Sequence, residues 1–304
     1  MKRWGVVALA LVGLLTAFSA QAAEKRKTTL GVFLPTSMTD AQERFRFAEK
    51  LAAGVGAALG EPVVGRSFGR YEDFAKAASD GSLDIAVVDG WAAAEAAGKF
   101  EPLALGVVDG ETHPAWAVVS TGKGVVKDLK GKKLAVIKGS TSTNDAKFVT
   151  NIVFGGDLEA QKHFGKLVPV PSVESALKVL EVKSADAILI PAMHAPKGAQ
   201  VLFRSGRVLG AVVMATHARA ADVQTALKSL GAVEPFDRFV EASPNEVADF
   251  KRLLQSGPPR RQPVVSESPL QRLEPSVVLN PREVGPVLPS FIETMEIARE
   301  QPDD

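Results

Sequence analysis

Two consecutive stretches of this chain repeat the same alternation of short apolar strands and longer helical patterns. The apolar runs lie at 30–34, 62–64 and 84–88 in the first stretch and at 134–137, 167–170 and 187–190 in the second. Runs of this kind between helices are typical of strands that helices cover on both faces. The alternation therefore predicts an α/β fold.

The two stretches also share a local detail that favours two similarly built lobes. Val32 precedes Asp40 by eight residues across a hydroxyl-rich loop, and Val136 precedes Asp145 by nine residues across another. We expect each lobe to be a mostly parallel sheet flanked by helices. In open α/β sheets, ligands bind at the carboxyl ends of the strands, so the ligand cleft is expected between the lobes.

The order of the elements predicts how the chain divides between the lobes. The expected parts are lobe 1 at 27–121 plus 209–256 and lobe 2 at 122–208. The chain would cross to lobe 2 near 120–130 and return near 205–215. Gly206 and Gly210 lie in the second interval, where glycine permits a hinge.

Both ends of the chain differ from this α/β body. Residues 1–22 combine Lys2 and Arg3, a short apolar run and a small-residue end, as a signal peptide does. We expect cleavage near Ala22 and a periplasmic or secreted protein; the alternative is an uncleaved anchor helix. Residues 257–304 hold nine of the 19 prolines, which predicts an extended or irregular tail, either a disordered linker or a segment packed on the body.

Composition excludes several classes of site. Without cysteine the chain has no disulfide, thiolate nucleophile, zinc–thiolate centre or lipid-modified cysteine. The 36 basic and 35 acidic residues give a formal charge of +1, so no bulk field attracts nucleic acid. The four histidines show no metal-binding spacing, and we predict neither a metal site nor a cofactor.

The most informative loop carries four consecutive hydroxyl residues after a predicted strand and before a predicted helix. They are Ser140, Thr141, Ser142 and Thr143. Hydroxyls beside the unpaired amides of a helix start suit an oxyanion such as phosphate, phosphonate or carboxylate. The alternative is structural, because Ser142 and Asp145 have the spacing of a helix cap.

Three further places are candidates for ligand contact. Thr36 and Ser37 lie in the matching loop of the first stretch. Gly90 and Trp91 follow a buried strand, where glycine permits close approach and the indole offers an apolar wall. His113 lies near the expected crossing between the lobes.

Two segments resemble a known family. The segment 128–136, Asp-Leu-Lys-Gly-Lys-Lys-Leu-Ala-Val, followed by Ser140-Thr141-Ser142, resembles the start of the second lobe in periplasmic phosphate/phosphonate-type solute-binding proteins of ABC transporters. Residues 71–94 resemble their first lobe, and the similarity covers roughly 28–255. The resemblance implies a two-lobed type II periplasmic-binding-protein fold in which Ser140, Thr141 and Ser142 contact the phosphoryl group.

These observations predict an exported, monomeric, non-enzymatic protein that closes its lobes on a small phosphate/phosphonate-like anion. Its partner would be an ABC permease in the inner membrane. One alternative is an enzyme on the same fold, either dehydratase-like or a hydrolase using Ser67 of the G-x-S-x-G pattern at 65–69. Too few residues precede Ser67 for the hydrolase, and an export signal argues against a cytosolic biosynthetic step. The other alternative is a ligand-presenting sensor component.

Overall fold

The structure, a computed structural model, describes residues 27–38, 40–243 and 245–258. These residues form two β-sheets flanked by helices. The expected signal peptide, its cleavage near Ala22 and the tail from 259 onward lie outside the described residues. The strands are β1 (Thr28–Phe33), β2 (Val63–Ser67), β3 (Ile85–Asp89), β4 (Glu101–Val107), β5 (Ala115–Ser120), β6 (Lys133–Ile137), β7 (Lys166–Val170), β8 (Ala187–Pro191), β9 (Gln200–Arg207), β10 (Ala211–Ala215) and β11 (Arg238–Glu241).

The helices connect these strands in the order that the sequence pattern predicts. They are α1 (Ala41–Leu59), α2 (Tyr71–Ser79), α3 (Gly90–Ala96), α4 (Ser142–Lys147), α5 (Ala160–His163), α6 (Val173–Glu181), α7 (Ala220–Ser229) and α8 (Glu246–Ser256). A π-helical segment, Phe148–Val153, continues α4, and short 3₁₀ turns lie at Val126–Leu129 and Ala192–His194. Within the described part of the chain, no helix has the length and apolar character needed to cross a membrane.

Each lobe is built on a sheet in which most strands run in one direction, as the sequence pattern predicted, and a minority run against them. The first sheet has the order β11-β4-β10-β3-β1-β2 and the second β7-β6-β8-β5-β9. β1 runs parallel to β2 and β3, and β6 runs parallel to β7 and β8. β10 and β5 run antiparallel to both of their neighbours. Each of these two strands is the first after the chain changes lobe, so it enters its sheet in the opposite direction.

The first crossing between the lobes lies at 108–114, not near 120–130. Ala115–Ser120 pairs with β8 and β9, so this strand belongs to lobe 2, whereas the sequence pattern assigned it to lobe 1. The error arose because an apolar run does not reveal which sheet supplies its partners. The return, between β9 and β10, lies inside the predicted interval 205–215.

The two crossing segments lie side by side. The amide of Gly210 donates to the Thr112 carbonyl at 3.1 Å, and the Val208 amide donates to the Pro114 carbonyl at 3.2 Å. A β-carbon on Gly210 would lie 2.6 Å from the Thr112 oxygen, so the close approach of the segments requires glycine there.

One apolar cluster extends through both lobes, and α8 closes it. Val247, Phe250 and Leu254 form the buried stripe of α8. The helix packs on α3 of lobe 1 and on α4 and the π-helical segment of lobe 2. The side-chain amide of Asn151 in that segment donates to the Leu254 carbonyl at 2.8 Å. Helix α8 therefore holds the two lobes together.

Candidate ligand site between the lobes

Trp91 lies at the centre of the contact between the lobes. It sits in the first turn of α3, directly after β3, so it projects from the carboxyl end of a central strand of lobe 1. Its ring centroid is 5.4 Å from that of Trp116 and 4.2 Å from that of Phe148, both of lobe 2. Only 1% of Trp91 is exposed. The three rings fill the interior of the interlobe contact.

The Ser/Thr loop of lobe 2 begins against this indole. A β-carbon built on Gly139 would lie 1.5 Å from Nε1 of Trp91, so only glycine lets the loop approach the ring. Ser140 comes next and is fully buried. Among the described residues, the Trp91 indole N–H has no hydrogen-bond partner, and the Ser140 hydroxyl has none at good geometry, although the Tyr71 phenol lies close enough to interact with it. Two buried donors therefore lie without a well-formed hydrogen bond where the lobes meet.

The remaining hydroxyls of the loop are exposed, and one of them caps the helix. Thr141, not Ser142, is the N-cap of α4, and its hydroxyl accepts from the Asn144 amide at 3.4 Å. Ser142 is the first helical residue, so it cannot take the cap position. Of the four predicted contacts in this loop, Ser140 is the one whose side chain lies inside the lobe contact, since Thr141, Ser142 and Thr143 face solvent.

Asp145 turns back toward the loop from inside α4. Its Oδ1 accepts from the amides of Gly139 at 3.3 Å and Ser140 at 3.0 Å. Burial raises the pKa of this carboxyl to about 7, although the two amides and Lys138 oppose the rise. An internal carboxylate thus occupies the two backbone donors that lie next to the buried Ser140 side chain.

Acidic side chains of lobe 1 hold the same loop from the other side. Lys138 pairs with Glu72 of α2, and the Asn144 amide group donates to Glu95 of α3. Burial raises the pKa of the Tyr71 phenol, and the neighbouring Ser140 side chain opposes that rise. The loop is therefore linked to lobe 1 by polar contacts as well as by Trp91.

Thr36 and Ser37 are organised by a buried aspartate. The Thr36 amide and the Ser37 hydroxyl each donate to a carboxylate oxygen of Asp89 at 3.0 Å. Burial raises the pKa of Asp89 to about 6, against the hydrogen bonds from these residues and the charge of Arg44. The Thr36 carbonyl accepts from Nε2 of His194 in lobe 2 at 3.2 Å. This loop is a second bridge between the lobes.

Gly90 and His113 have structural roles and do not line the cleft described below. A β-carbon on Gly90 would lie 2.4 Å from the carbonyl oxygen of Leu209, so glycine is needed where the returning chain passes. Nε2 of His113 is 3.1 Å from a Glu246 carboxylate oxygen, which ties the first crossing to α8. Neither residue lines the cleft.

The cleft itself lies between the lobes beside Trp91. It is narrow, with a cavity volume of about 30 Å³, room for little more than water. The walls are mainly apolar, and its principal side chains are Thr36, Ser37, Trp91, Trp116, Met193 and Leu209. Glu111 is the one charged residue among the described residues of the lining, and it pairs with Arg207 at 3.2 Å. No sequence pattern singled out Trp116 or Met193, although the chain has only three tryptophans and this rarity could have marked the first.

The G-x-S-x-G pattern does not form a nucleophile elbow. Ser67 ends β2, where it pairs with Val32, and α2 begins four residues later. A β-carbon on Gly65 would lie 2.3 Å from the Ala48 carbonyl oxygen, so this glycine lets α1 pack on the sheet. Throughout the described residues, no three His, Asp or Glu side chains converge as metal ligands.

The sequence pattern of one protein family matches residues 33–230: the periplasmic phosphonate substrate-binding protein of ABC transporters. No curated protein sequence is significantly similar to the chain.

Solved structures share the fold at low sequence identity. A binding-protein component of an ABC phosphonate transporter from Pseudomonas aeruginosa has 15% identity and a TM-score of 0.60, over 76% of this chain and 86% of that one. A Prochlorococcus marinus protein in complex with methylphosphonate has 12% identity and a TM-score of 0.60, over 76% and 97%. A Xanthomonas citri protein bound to ATP has 13% identity and a TM-score of 0.59, over 76% and 98%.

Proposed function

Because this chain belongs to the family of periplasmic phosphonate substrate-binding proteins of ABC transporters, we propose that it binds a phosphonate-like anion at Trp91 and Ser140. In this proposal it is a monomer, exported after cleavage near Ala22, that delivers the anion to an inner-membrane permease. It binds and releases its ligand without chemical change.

The observation that carries the proposal is the pair of unpaired buried donors. Burying a polar group without a partner costs about 1–3 kcal/mol, so nearly all such groups are paired in folded proteins. Four side-chain atoms of the described residues break this rule, and two of them are Nε1 of Trp91 and Oγ of Ser140. An anionic oxygen placed between the lobes would accept from both.

The two donors come from different lobes, which is what a closing receptor requires. Trp91 belongs to lobe 1 and Ser140 to lobe 2, so a ligand held by both favours the closed arrangement over an open one. Both donors are buried, and the lobes therefore separate before the ligand enters. The Asp145 carboxylate accepts hydrogen bonds from the backbone amides of Gly139 and Ser140. In this proposal the ligand contacts therefore come from the side chains of Trp91 and Ser140.

Thermal-shift and calorimetric titrations with methylphosphonate, phosphate, methanesulfonate and acetate test the proposal. A ligand present at a hundred times its dissociation constant adds about 2.7 kcal/mol to the free energy of unfolding. We expect methylphosphonate to bind. Trp91→Phe and Ser140→Ala should each weaken it by about tenfold or more, because a hydrogen bond to a charged group contributes about 1.5–3 kcal/mol.

Thr143→Ala is the matched control, since Thr143 belongs to the same loop but is exposed. It should bind methylphosphonate as the wild type does. If Trp91→Phe and Ser140→Ala also bind with wild-type affinity, the anion site lies elsewhere. If none of the four anions binds, the proposed ligand class is wrong.

A further inference from the structure

We propose that the end of lobe 2 farthest from the lobe contact docks on an anionic phospholipid surface. Three segments form this end, 121–133, 159–166 and 181–186, and we call the surface they make the basic end. The inference goes beyond the proposed function and does not depend on which solute the protein binds.

Strand directions bring the three segments together. β6, β7 and β8 run parallel and all begin at the basic end, where Lys133 lies opposite Lys166 in the register. The amide of Asp186 donates to the Lys133 carbonyl at 3.0 Å, which joins the third segment to the first. Ser140 follows the opposite end of β6. The basic end therefore faces away from the loop of the proposed ligand site.

The basic end has an excess of positive charge. It carries eight lysines, Lys123, Lys127, Lys130, Lys132, Lys133, Lys162, Lys166 and Lys183, against four acidic residues, Asp128, Glu159, Glu181 and Asp186. All eight lysines are exposed. Within the described part of the chain, only Lys162 of the eight forms an ion pair, with Glu159 at 2.6 Å. Most of the positive charge thus faces solvent without a neutralising side chain.

An open recess of about 290 Å³ lies in the basic end. The lysines that line it are Lys123, Lys132 and Lys183. Its two carboxylates are occupied by the backbone: Asp128 accepts from the Val125 amide at 2.9 Å, and Asp186 accepts from the Lys133 amide at 2.8 Å. The ammonium groups are therefore the side chains that can meet a phosphate headgroup here.

Exposed apolar side chains lie among these lysines. Val125 lines the recess and is 55% exposed, and Val182, which precedes Lys183, is 60% exposed. Binding to a bilayer surface strengthens with the apolar area that enters the headgroup region and with attraction to anionic lipids. The basic end offers both contributions.

The residue types favour a lipid surface over a protein or nucleic-acid partner. The three segments contain no arginine, tyrosine or tryptophan. Protein interfaces are enriched in these residues and depleted in lysine, and arginine is preferred where nucleic acids are recognised. Lysine carries a compact charge on a flexible stem, which suits a diffuse layer of headgroups without fixed geometry.

The charge of the two lobes would orient the docked protein. Residues 115–207, from β5 to β9, carry 14 basic and seven acidic residues, whereas residues 27–114 and 208–258 carry 13 basic and 19 acidic residues. The near-neutral total hides this asymmetry. An anionic surface attracts lobe 2 and repels lobe 1, so the basic end meets the lipid first.

Co-sedimentation of the full mature chain with vesicles tests the inference. One set of vesicles contains phosphatidylcholine alone, and the other adds the anionic lipid phosphatidylglycerol. We expect sedimentation with the anionic vesicles only, and release when salt rises from about 0.05 M to about 0.5 M, because salt screens exposed charges. If the protein does not sediment with anionic vesicles at low salt, the inference is wrong. If it binds polyglutamate and not the vesicles, the basic end recognises an acidic protein segment, and the lipid proposal is equally overturned.

A triple variant tests the recess itself. Each basic residue near an anionic lipid surface contributes about a factor of five in affinity, so Lys123→Gln/Lys132→Gln/Lys183→Gln should bind anionic vesicles about a hundredfold more weakly. Its affinity for methylphosphonate should stay unchanged, because these residues lie at the end of lobe 2 opposite Ser140. The lipid inference and the proposed function can therefore fail separately. Wild-type vesicle binding by this variant would overturn the inference.

The matched control removes the same charge from lobe 1. Lys50→Gln/Lys76→Gln/Lys99→Gln changes three exposed lysines and should keep wild-type vesicle binding. If the two triple variants lose equal affinity, net charge rather than the basic end determines binding, and the inference is overturned.

Discussion

The indole nitrogen of Trp91 lies only 1.5 Å from the place that a β-carbon on Gly139 would occupy. Real side chains do not approach so closely, so the residue that faces Trp91 across the lobe contact has to be glycine. This contact fixes how near the two lobes come to each other, and it lies beside both unpaired donors of the proposed site.

Gly139→Ala should therefore hold the lobes apart. The added methyl group overlaps a buried indole and cannot be accommodated by a small shift, so the closed arrangement becomes a minor state. Apparent affinity falls in proportion to the fraction of closed protein, and we expect methylphosphonate to bind at least tenfold more weakly. Small-angle X-ray scattering should show a larger radius of gyration. Gly231→Ala is the control, because a β-carbon there meets no described atom within 4 Å and the residue lies outside both crossing segments. Wild-type scattering and affinity for Gly139→Ala would contradict the expectation.

Thr141 and Ser142 are both exposed, but only Thr141 caps α4, so substitutions at the two positions distinguish the effect of the cap from the effect of losing an exposed hydroxyl. Thr141→Ala removes the N-cap of α4 and should lower the free energy of unfolding by about 1 kcal/mol. Ser142→Ala should change it by less than about 0.5 kcal/mol, because Ser142 is an exposed residue of the first turn. Urea denaturation measures both. Equal losses for the two variants would show that the Thr141 hydroxyl does not stabilise the helix start.

Asp145 makes stability depend on pH. Its pKa is raised from an unfolded value of about 3.9 to about 7 by burial, so the folded state binds the proton more tightly than the unfolded state does. The free energy of unfolding should therefore fall as pH rises from about 4 to about 7. Asp89, with a pKa near 6, contributes in the same direction.

Asp145→Asn should reduce this pH dependence, most visibly between pH 6 and pH 7. The amide oxygen still accepts from Gly139 and Ser140, but no proton is exchanged. Urea denaturation at pH 4.5, 6.0 and 7.5 compares the two proteins. An unchanged slope above pH 6 would mean that Asp145 is not the group that titrates there.

Substitution of Asp89 should affect the stability of the fold more than the affinity for the ligand. Asp89→Ala leaves the buried Thr36 amide without its acceptor, which costs about 1–3 kcal/mol of stability, and also frees the Ser37 hydroxyl. Asp89→Asn retains an acceptor oxygen and should recover most of the loss at pH 7. Denaturant titration of the three proteins checks this order. If Asp89→Asn is as unstable as Asp89→Ala, the negative charge itself is required.

The six apolar runs of the alternation lie on β1, β2, β3, β6, β7 and β8, because a short apolar run between helical patterns is typical of a strand. β9 and β11 were missed. β11 has four residues, and β9 carries Arg204, Arg207 and a glycine. Both are edge strands, so their conformation comes from pairing with β5 and β4 rather than from their own sequence.

The candidate site was predicted in part. The pattern of four hydroxyls led to Ser140, yet it could not show that Thr141, Ser142 and Thr143 face solvent, because that depends on where α4 begins. It also could not show that the Asp145 carboxylate would accept hydrogen bonds from the amides of Gly139 and Ser140. Trp116 lies three residues after His113, and only the pairing of β5 with β8 reveals that the tryptophan, not the histidine, faces the cleft.

Helix α8 has a consequence for the kinetics of ligand exchange. Because it packs on both lobes, separating them must break part of its apolar contact with one side, and that cost enters the barrier to ligand release as well as the barrier to entry. Residence time would then depend on a helix that does not line the cleft. A transport partner that contacted α8 could speed release without touching the ligand.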